Sequence, residues 1–160
     1  MAQGKPNVDE LLDDILDFFL VAYLDGSQDA AEMLGIKAEP DFQEAKEAIT
    51  KKIAGKNYEE RVREYASSGD AAEIVRVIDT DMTRIYNTAV LNTAKQNGGK
   101  RKTWVTMMDN RVRDTHSPLE GVTIPLDAEF YTWDGDHAEQ PGGFTKASNN
   151  VNCRCVLTVS

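Results

Sequence analysis

Residues 104–121 read WVTMMDNRVRDTHSPLEG, and further on residues 152–155 read NCRC. Between Asp109 and His116 stand Arg111, Arg113 and Asp114, so groups able to hydrogen-bond or titrate crowd one short segment, closed by Ser117-Pro118 and Gly121. The chain has 2 cysteines, and both fall in the second piece, flanked by Val151 and by Val156-Leu157. In an extended strand alternate side chains share a face, so the Cys-Arg-Cys spacing puts both thiols on one side. The two pieces are predicted to meet in space, a polar loop against a thiol-bearing strand.

Around this pair the remaining sequence reads as α+β: an N-terminal helical part and a long helix packed on a small C-terminal antiparallel sheet with long loops. Val8, Leu11, Leu12, Ile15, Leu16, Phe19, Leu20 and Tyr23 recur with helical period, with Asp9, Glu10, Asp13, Asp14 and Asp17 on the other face. Asp25-Gly26-Ser27 should stop this helix, and a short second one should follow from Gln28 to Leu34. A third starts near Pro40 and ends about Ala54-Gly55, and a fourth runs from Asn57 or Tyr58 to about Tyr65. Asp70, with Glu73 three residues on, predicts a capping box for a long helix from Ala71 to about Gln96. Val90 and Leu91 fall outside its apolar stripe, which predicts cover on a second side.

Gly98-Gly99 marks a change of composition, with helix formers before it and Trp, Thr, Val, Pro, Gly and Asn after it. Residues 1–70 are therefore expected as an acidic helical part, and 71–160 as a module of long helix 71–96 and β module 100–160. Strands are expected at Thr103–Met107, Val122–Ile124, Glu129–Thr132 and Val151–Val159, separated by Ser117-Pro118, Pro125, Asp134-Gly135-Asp136 and Pro141-Gly142-Gly143.

The net charge is -9, with 19 acids against 11 bases up to Gly99 and 8 against 7 from Lys100 on. Such a surface repels phosphates at long range and suits a basic protein partner. Lys100-Arg101-Lys102 reads as a solvated turn rather than a DNA contact. No apolar run approaches the ~20 residues that a membrane span needs. Met1 to Asn7 reads as a flexible lead-in without a signal-peptide core, which predicts a cytoplasmic protein with reduced thiols.

Three chemistries fit the central constellation. His116, Cys153 and Cys155 are donors for a structural zinc, with His137 or Asp114 as the candidate fourth ligand. Alternatively the segment is a hydrogen-bonded polar cluster, in which Asp109 accepts from Arg111 or Arg113, His116 is a loop histidine and the cysteines are small buried apolar groups. In this reading Arg84 and Asn87, one turn apart on the long helix, either reach the Asp109 loop or lie on a solvated face. The third chemistry is enzymatic: His116 with Asp109 or Asp114 as an acid/base pair, Arg113 or Arg154 stabilising an anion, or a thiol nucleophile paired with His116. Trp104 and Trp133 read as core or rim residues. The first helix reads as core on one side, with an acidic face able to dock on a partner or a second copy.

The order Trp104, Asp109, Arg111, Arg113, His116, Gly121, Phe130, Pro141-Gly142 and Asn152-Cys153-Arg154-Cys155 resembles the phage Mu F-like head morphogenesis family of minor capsid proteins. Thr80, Asp81, Arg84, Tyr86 and Asn87 are similar to the helix that precedes the Trp in that family, and the resemblance covers about residues 74–157. It implies a non-enzymatic role in procapsid assembly, with the portal and other head proteins as partners, weak contact with phage DNA, and residence in the host cytoplasm during assembly and then in the virion head. A homo-oligomer is also compatible with it. In zinc-bearing members a Cys-x-x-Cys stands where Arg113 and His116 stand here, and arginine is no ligand, so structural zinc is the one cofactor in question. The alternative function is a phage-delivered, nuclease-like effector using His116.

Overall fold

A computed structural model describes residues 7–160, and most of the lead-in lies outside the described residues. Among these residues the fold is α+β, with five helices and five short strands. Helix α1 (Val8–Leu34) is capped by the Asn7 side chain, which accepts from the Asp9 N–H, and ends at Gly35 in the left-handed region. The expected break at Asp25-Gly26-Ser27 does not occur. Gly26 lies where α1 meets the long helix α4 (Ala71–Gln96), and a Cβ built there would stand 2.3 Å from the Tyr86 carbonyl oxygen. Beside it, the buried Ser27 hydroxyl accepts from Thr93 Oγ1 at 3.0 Å. Here glycine and serine permit close helix packing instead of making a turn.

Helix α2 (Phe42–Thr50) begins at Asp41, whose carboxylate accepts from the Gln43 N–H, and it stops before the predicted Ala54. Ala54 and Gly55 have positive φ and form a turn closed by backbone bonds between Ile53 and Lys56. Helix α3 (Tyr58–Ser68) starts at Asn57 and ends at Gly69. Asp70 caps α4 through the Glu73 N–H at 3.2 Å, but the Glu73 carboxylate pairs with Arg76, so the capping box is one-sided.

Strands β1 (Arg101–Val105), β2 (Thr123–Pro125) and β5 (Val156–Val159) form an antiparallel sheet in the order β2-β1-β5, with Trp104 opposite Leu157. Strands β3 (Phe130–Tyr131) and β4 (His137–Ala138) form a separate ladder. The last strand is shorter than predicted because helix α5 (Ala147–Asn150) and a turn with Asn152 at φ 55 precede it. The basic run is not a solvated turn, since it opens β1. Lys102 is buried, donates from Nζ to the Glu139 carbonyl at 2.7 Å and lies over the Phe130 ring. Burial lowers its ammonium pKa to about 8 against the opposing pull of Glu139.

Two apolar clusters share α1 and α4. One joins Leu12, Ile15, Phe19 and Tyr23 to Ile49, Tyr58, Val62 and Ile85; the other joins Ala30, Val90, Leu91 and Ala94 to Trp104, Phe130, Phe144 and Leu157. Val90 and Leu91 thus receive the second-side cover that their position predicts. Because the α1–α4 contact underlies both clusters, Gly26→Ala is expected to destabilise the chain by about 1–3 kcal/mol, the usual range for overpacking a close contact. Urea unfolding measures this, and an unchanged or raised midpoint would show that the helices separate without cost.

Candidate functional site

One face of α4 carries Thr80, Thr83 and Asn87, at positions that stack along a helix. Each holds backbone of the segment bearing the cysteines. The Asn152 N–H donates to Thr80 Oγ1 at 3.1 Å, and Thr83 Oγ1 donates to the Cys153 carbonyl at 2.6 Å. Asn87 Nδ2 donates to the Cys155 carbonyl at 3.1 Å, while its Oδ1 accepts from the Leu157 N–H at 2.9 Å. Asn87 is fully buried and turned away from the Asp109 loop, so neither placement expected for it describes this contact.

The other site residues sort as follows. Arg84 does not join the cluster: it is buried, donates to the Ala48 carbonyl at 2.6 Å and lies 3.5 Å from Asp81. Asp109 accepts from the Arg111 backbone N–H at 3.0 Å, but its charged partner is Arg154, whose guanidinium lies 2.9 Å from both carboxylate oxygens. The Arg154 contact lowers the Asp109 pKa. Asp114 is exposed, and its carbonyl accepts from Trp133 Nε1 at 3.0 Å. His137 pairs with Glu129 at the surface. Neither Asp114 nor His137 reaches the cysteines, and among the described residues no carboxylate sits beside His116 as the acid/base reading requires.

The residues brought together are His116, Cys153 and Cys155, all buried, with ligand atoms within 4.8 Å of one another. The His116 N–H closes a turn on the Arg113 carbonyl, and the imidazole stacks on Phe144 and meets Trp104 edge-on. His116 Nδ1 lies 3.6 Å from Cys153 Sγ and 3.8 Å from Cys155 Sγ. Zinc bonds of ~2.0 Å to nitrogen and ~2.3 Å to sulfur at a tetrahedral angle give an N···S edge of about 3.5 Å, which both N···S contacts approach. For the fourth corner the described residues supply no ligand. A cavity of about 10 Å³ lies there, lined by Arg113, Met107 and the three donors among others, and such a volume holds roughly one water. His116 Nε2 is buried without a hydrogen-bond partner, so the acceptor that usually orients a metal-bound imidazole is missing. The donor set fits a three-ligand centre and not the closed four-ligand one.

Without a metal the thiols form a coupled pair. A hydrogen bond from Cys155, then the His116 contact, outweighs burial and lowers the Cys153 pKa to about 5. The same sharing raises Cys155, and burial adds to it, while the Trp104 indole and Arg113 favour its thiolate.

A second organiser went unread in the sequence. Asp136 is buried and accepts from the His137, Thr145 and Lys146 N–H groups, the Thr145 hydroxyl and the Asn149 amide. Burial opposes its ionisation, yet these donors hold it well below the usual carboxylate range. The Asn150 side chain ties the same loop by bonding both the N–H and the carbonyl of Phe144. The turn signal of Asp134-Gly135-Asp136 was legible in sequence; the distant donors that Asp136 collects were not.

Residues 43–158, well over half the chain, match the family described as Phage Mu protein F like protein. The chain belongs to this family. Among its relatives is the Minor head protein GP7 of Bacillus phage SPP1, 35% identical over 57 residues, which is 36% of this chain and 18% of that protein. Another is a protein of Enterococcus faecalis named NAD(+)--arginine ADP-ribosyltransferase EFV, 33% identical over 113 residues, 67% of this chain and 23% of that protein. The chain spans less than a quarter of the length of either of these curated relatives. No solved structure matches it. The His116, Cys153 and Cys155 centre lies inside the Mu F like region.

Added Zn2+ is expected to raise the melting temperature of the wild-type chain by several degrees, as ligand binding to the folded state does, and to leave Cys155→Ser unmoved. Differential scanning calorimetry with and without EDTA makes the measurement. A wild-type melt insensitive to both zinc and EDTA would show that the three groups act through hydrogen bonding alone.

Proposed function

We propose that the chain is a phage minor head protein that acts in head assembly by docking on the portal and other head proteins, without catalysis. The observation that carries this reading is membership of the Mu F like family together with the similarity to the SPP1 minor head protein. It takes the protein to the virion head, and none of the helices described is long and apolar enough to cross a membrane. With net charge -9, any contact with phage DNA is weak.

A surface of the right chemistry lies on the β module. Trp133 and Tyr131 are 71% and 70% exposed, so Trp133 is not a core residue. They flank a groove of about 520 Å³ floored by Pro118, Leu119, Val122 and Ile124. The bond from Trp133 Nε1 to the Asp114 carbonyl holds the indole in place. Large aromatic side chains fixed beside an apolar groove bind proteins with little loss of side-chain entropy, and such residues dominate binding energy at interfaces.

The name of the Enterococcus relative raises an enzymatic reading, but the match covers less than a quarter of that protein. In this chain the imidazole contacts two sulfurs beside a cavity with room for about one water, whereas small-molecule pockets are of the order of 300–1,000 Å³. His116 is therefore better placed to hold structure than to meet a dinucleotide.

Capture of the portal and head proteins encoded beside this chain, using the purified protein as bait, tests the proposal. Retention of a head protein by the wild type is expected, with a loss of at least about tenfold in affinity for Trp133→Ala/Tyr131→Ala, since interface aromatics contribute ~2 kcal/mol or more. Capture of none, in an assay where a known portal partner is retained, would overturn the reading.

A further inference from the structure

A cleft of about 810 Å³ separates α4 from the loops that carry the site. Asp79, Met82 and Thr83 line one wall; Arg111, Arg113, Asn152 and Arg154 line the other. Arg154 is engaged by Asp109, but Arg111 and Arg113 enter no ion pair among the described residues. Arg111 and Arg113 bring two positive charges without ion-pair partners to the same cleft, and an anion entering it is attracted to both. Met82 adds an apolar surface, and the Asp79 carboxylate disfavours a densely charged polyphosphate. The matching ligand is a polypeptide face that carries a few carboxylates beside apolar side chains.

The chain itself presents such a face. On the outer side of α1, Asp13, Asp14 and Asp17 are exposed and enter no ion pair among the described residues. Phe18 and Val21, 59% and 55% exposed, continue the line set by Asp14 along the helix. This face is remote in sequence from the cleft and opposite to it in charge.

We propose that the arginine cleft takes the Asp13–Val21 face of α1 from a second copy of this chain. The contact is head-to-tail, so a pair of copies keeps one free face and one free cleft, and the products are rings or open chains. The inference does not rest on the head-protein reading, because it needs only these two surfaces. One helix face in one cleft is a small interface, and the net charge of -9 opposes it, so the association is weak and sensitive to salt.

Sedimentation of the full chain at low and high salt, with charge reversals, provides the test. Wild type is expected to self-associate at low salt and to weaken about tenfold in high salt, as a few exposed ion pairs dictate. Arg111→Glu/Arg113→Glu and Asp13→Lys/Asp14→Lys/Asp17→Lys should each be monomeric alone. Mixed, they should associate again, because both possible contacts then join opposite charges. Arg111→Glu alone, an exposed substitution, serves if the double cleft variant does not fold. A monomeric wild type at every concentration overturns the proposal, as does self-association indifferent to both reversals or no recovery on mixing. A monomer whose cleft binds an oligoglutamate peptide or an oligonucleotide instead would also overturn it, and would assign the cleft to a separate anionic partner.

Discussion

Strand β5 lies at one edge of its sheet, paired on one side with β1 and open on the other. Opposite Trp104, the Leu157 N–H points to the open side, where a free sheet edge would invite pairing with another chain. Asn87 closes it, because its amide offers one acceptor and one donor in the same sense as a neighbouring strand. Thr83 and Thr80 continue the same ladder of side chains down to Asn152. The long helix therefore acts as the missing strand, and without it buried backbone groups would be stranded at about 1–3 kcal/mol each. Placement of the thiols depends on this tie: Cys153 and Cys155 turn away from α4 toward His116 and Trp104 only while their carbonyls are held.

Around that tie the polar residues divide their work. Buried ones, Asn87, Asp136 and Asn150, satisfy backbone that the short strands leave unpaired, and Asn149 braces the Asp136 carboxylate. Arg111, exposed, and Arg113, half-buried, enter no ion pair among the described residues and line a cleft. Membership of the Mu F like family covers the whole of this arrangement, from α2 to β5. A module with two small sheets and long loops needs such side-chain ties, since its sheets alone bury too little to fix it.

The parts legible in sequence are those with a period or a local cap. Alternation placed both thiols on one face, helical period with the Asp70 cap located α4, and Val90 and Leu91 announced cover on a second side of it, which the β module supplies. Gly26 was misread because a glycine in a helix signals a stop and a close approach equally well, and only the Tyr86 carbonyl across the interface decides between them. Arg84 was aimed at the wrong loop because its position on the helix gives a direction and not a neighbour, here the Ala48 carbonyl. Strand β4 and helix α5 carry no period at all, being two and four residues long, and Asp136, just before β4, ties the start of α5 from a distance through the Lys146 N–H and the Asn149 amide.

Hydrogen exchange at the Leu157 amide under native conditions, in the wild-type chain and in Asn87→Ala, tests the central claim most directly. If Asn87 is the acceptor that closes the edge, Leu157 loses roughly a hundredfold in protection beyond any loss shared by the α1 amides, the equivalent of ~2.7 kcal/mol. Equal protection in both proteins, after allowing for global stability, would show that the strand stands without the helix and would contradict the account.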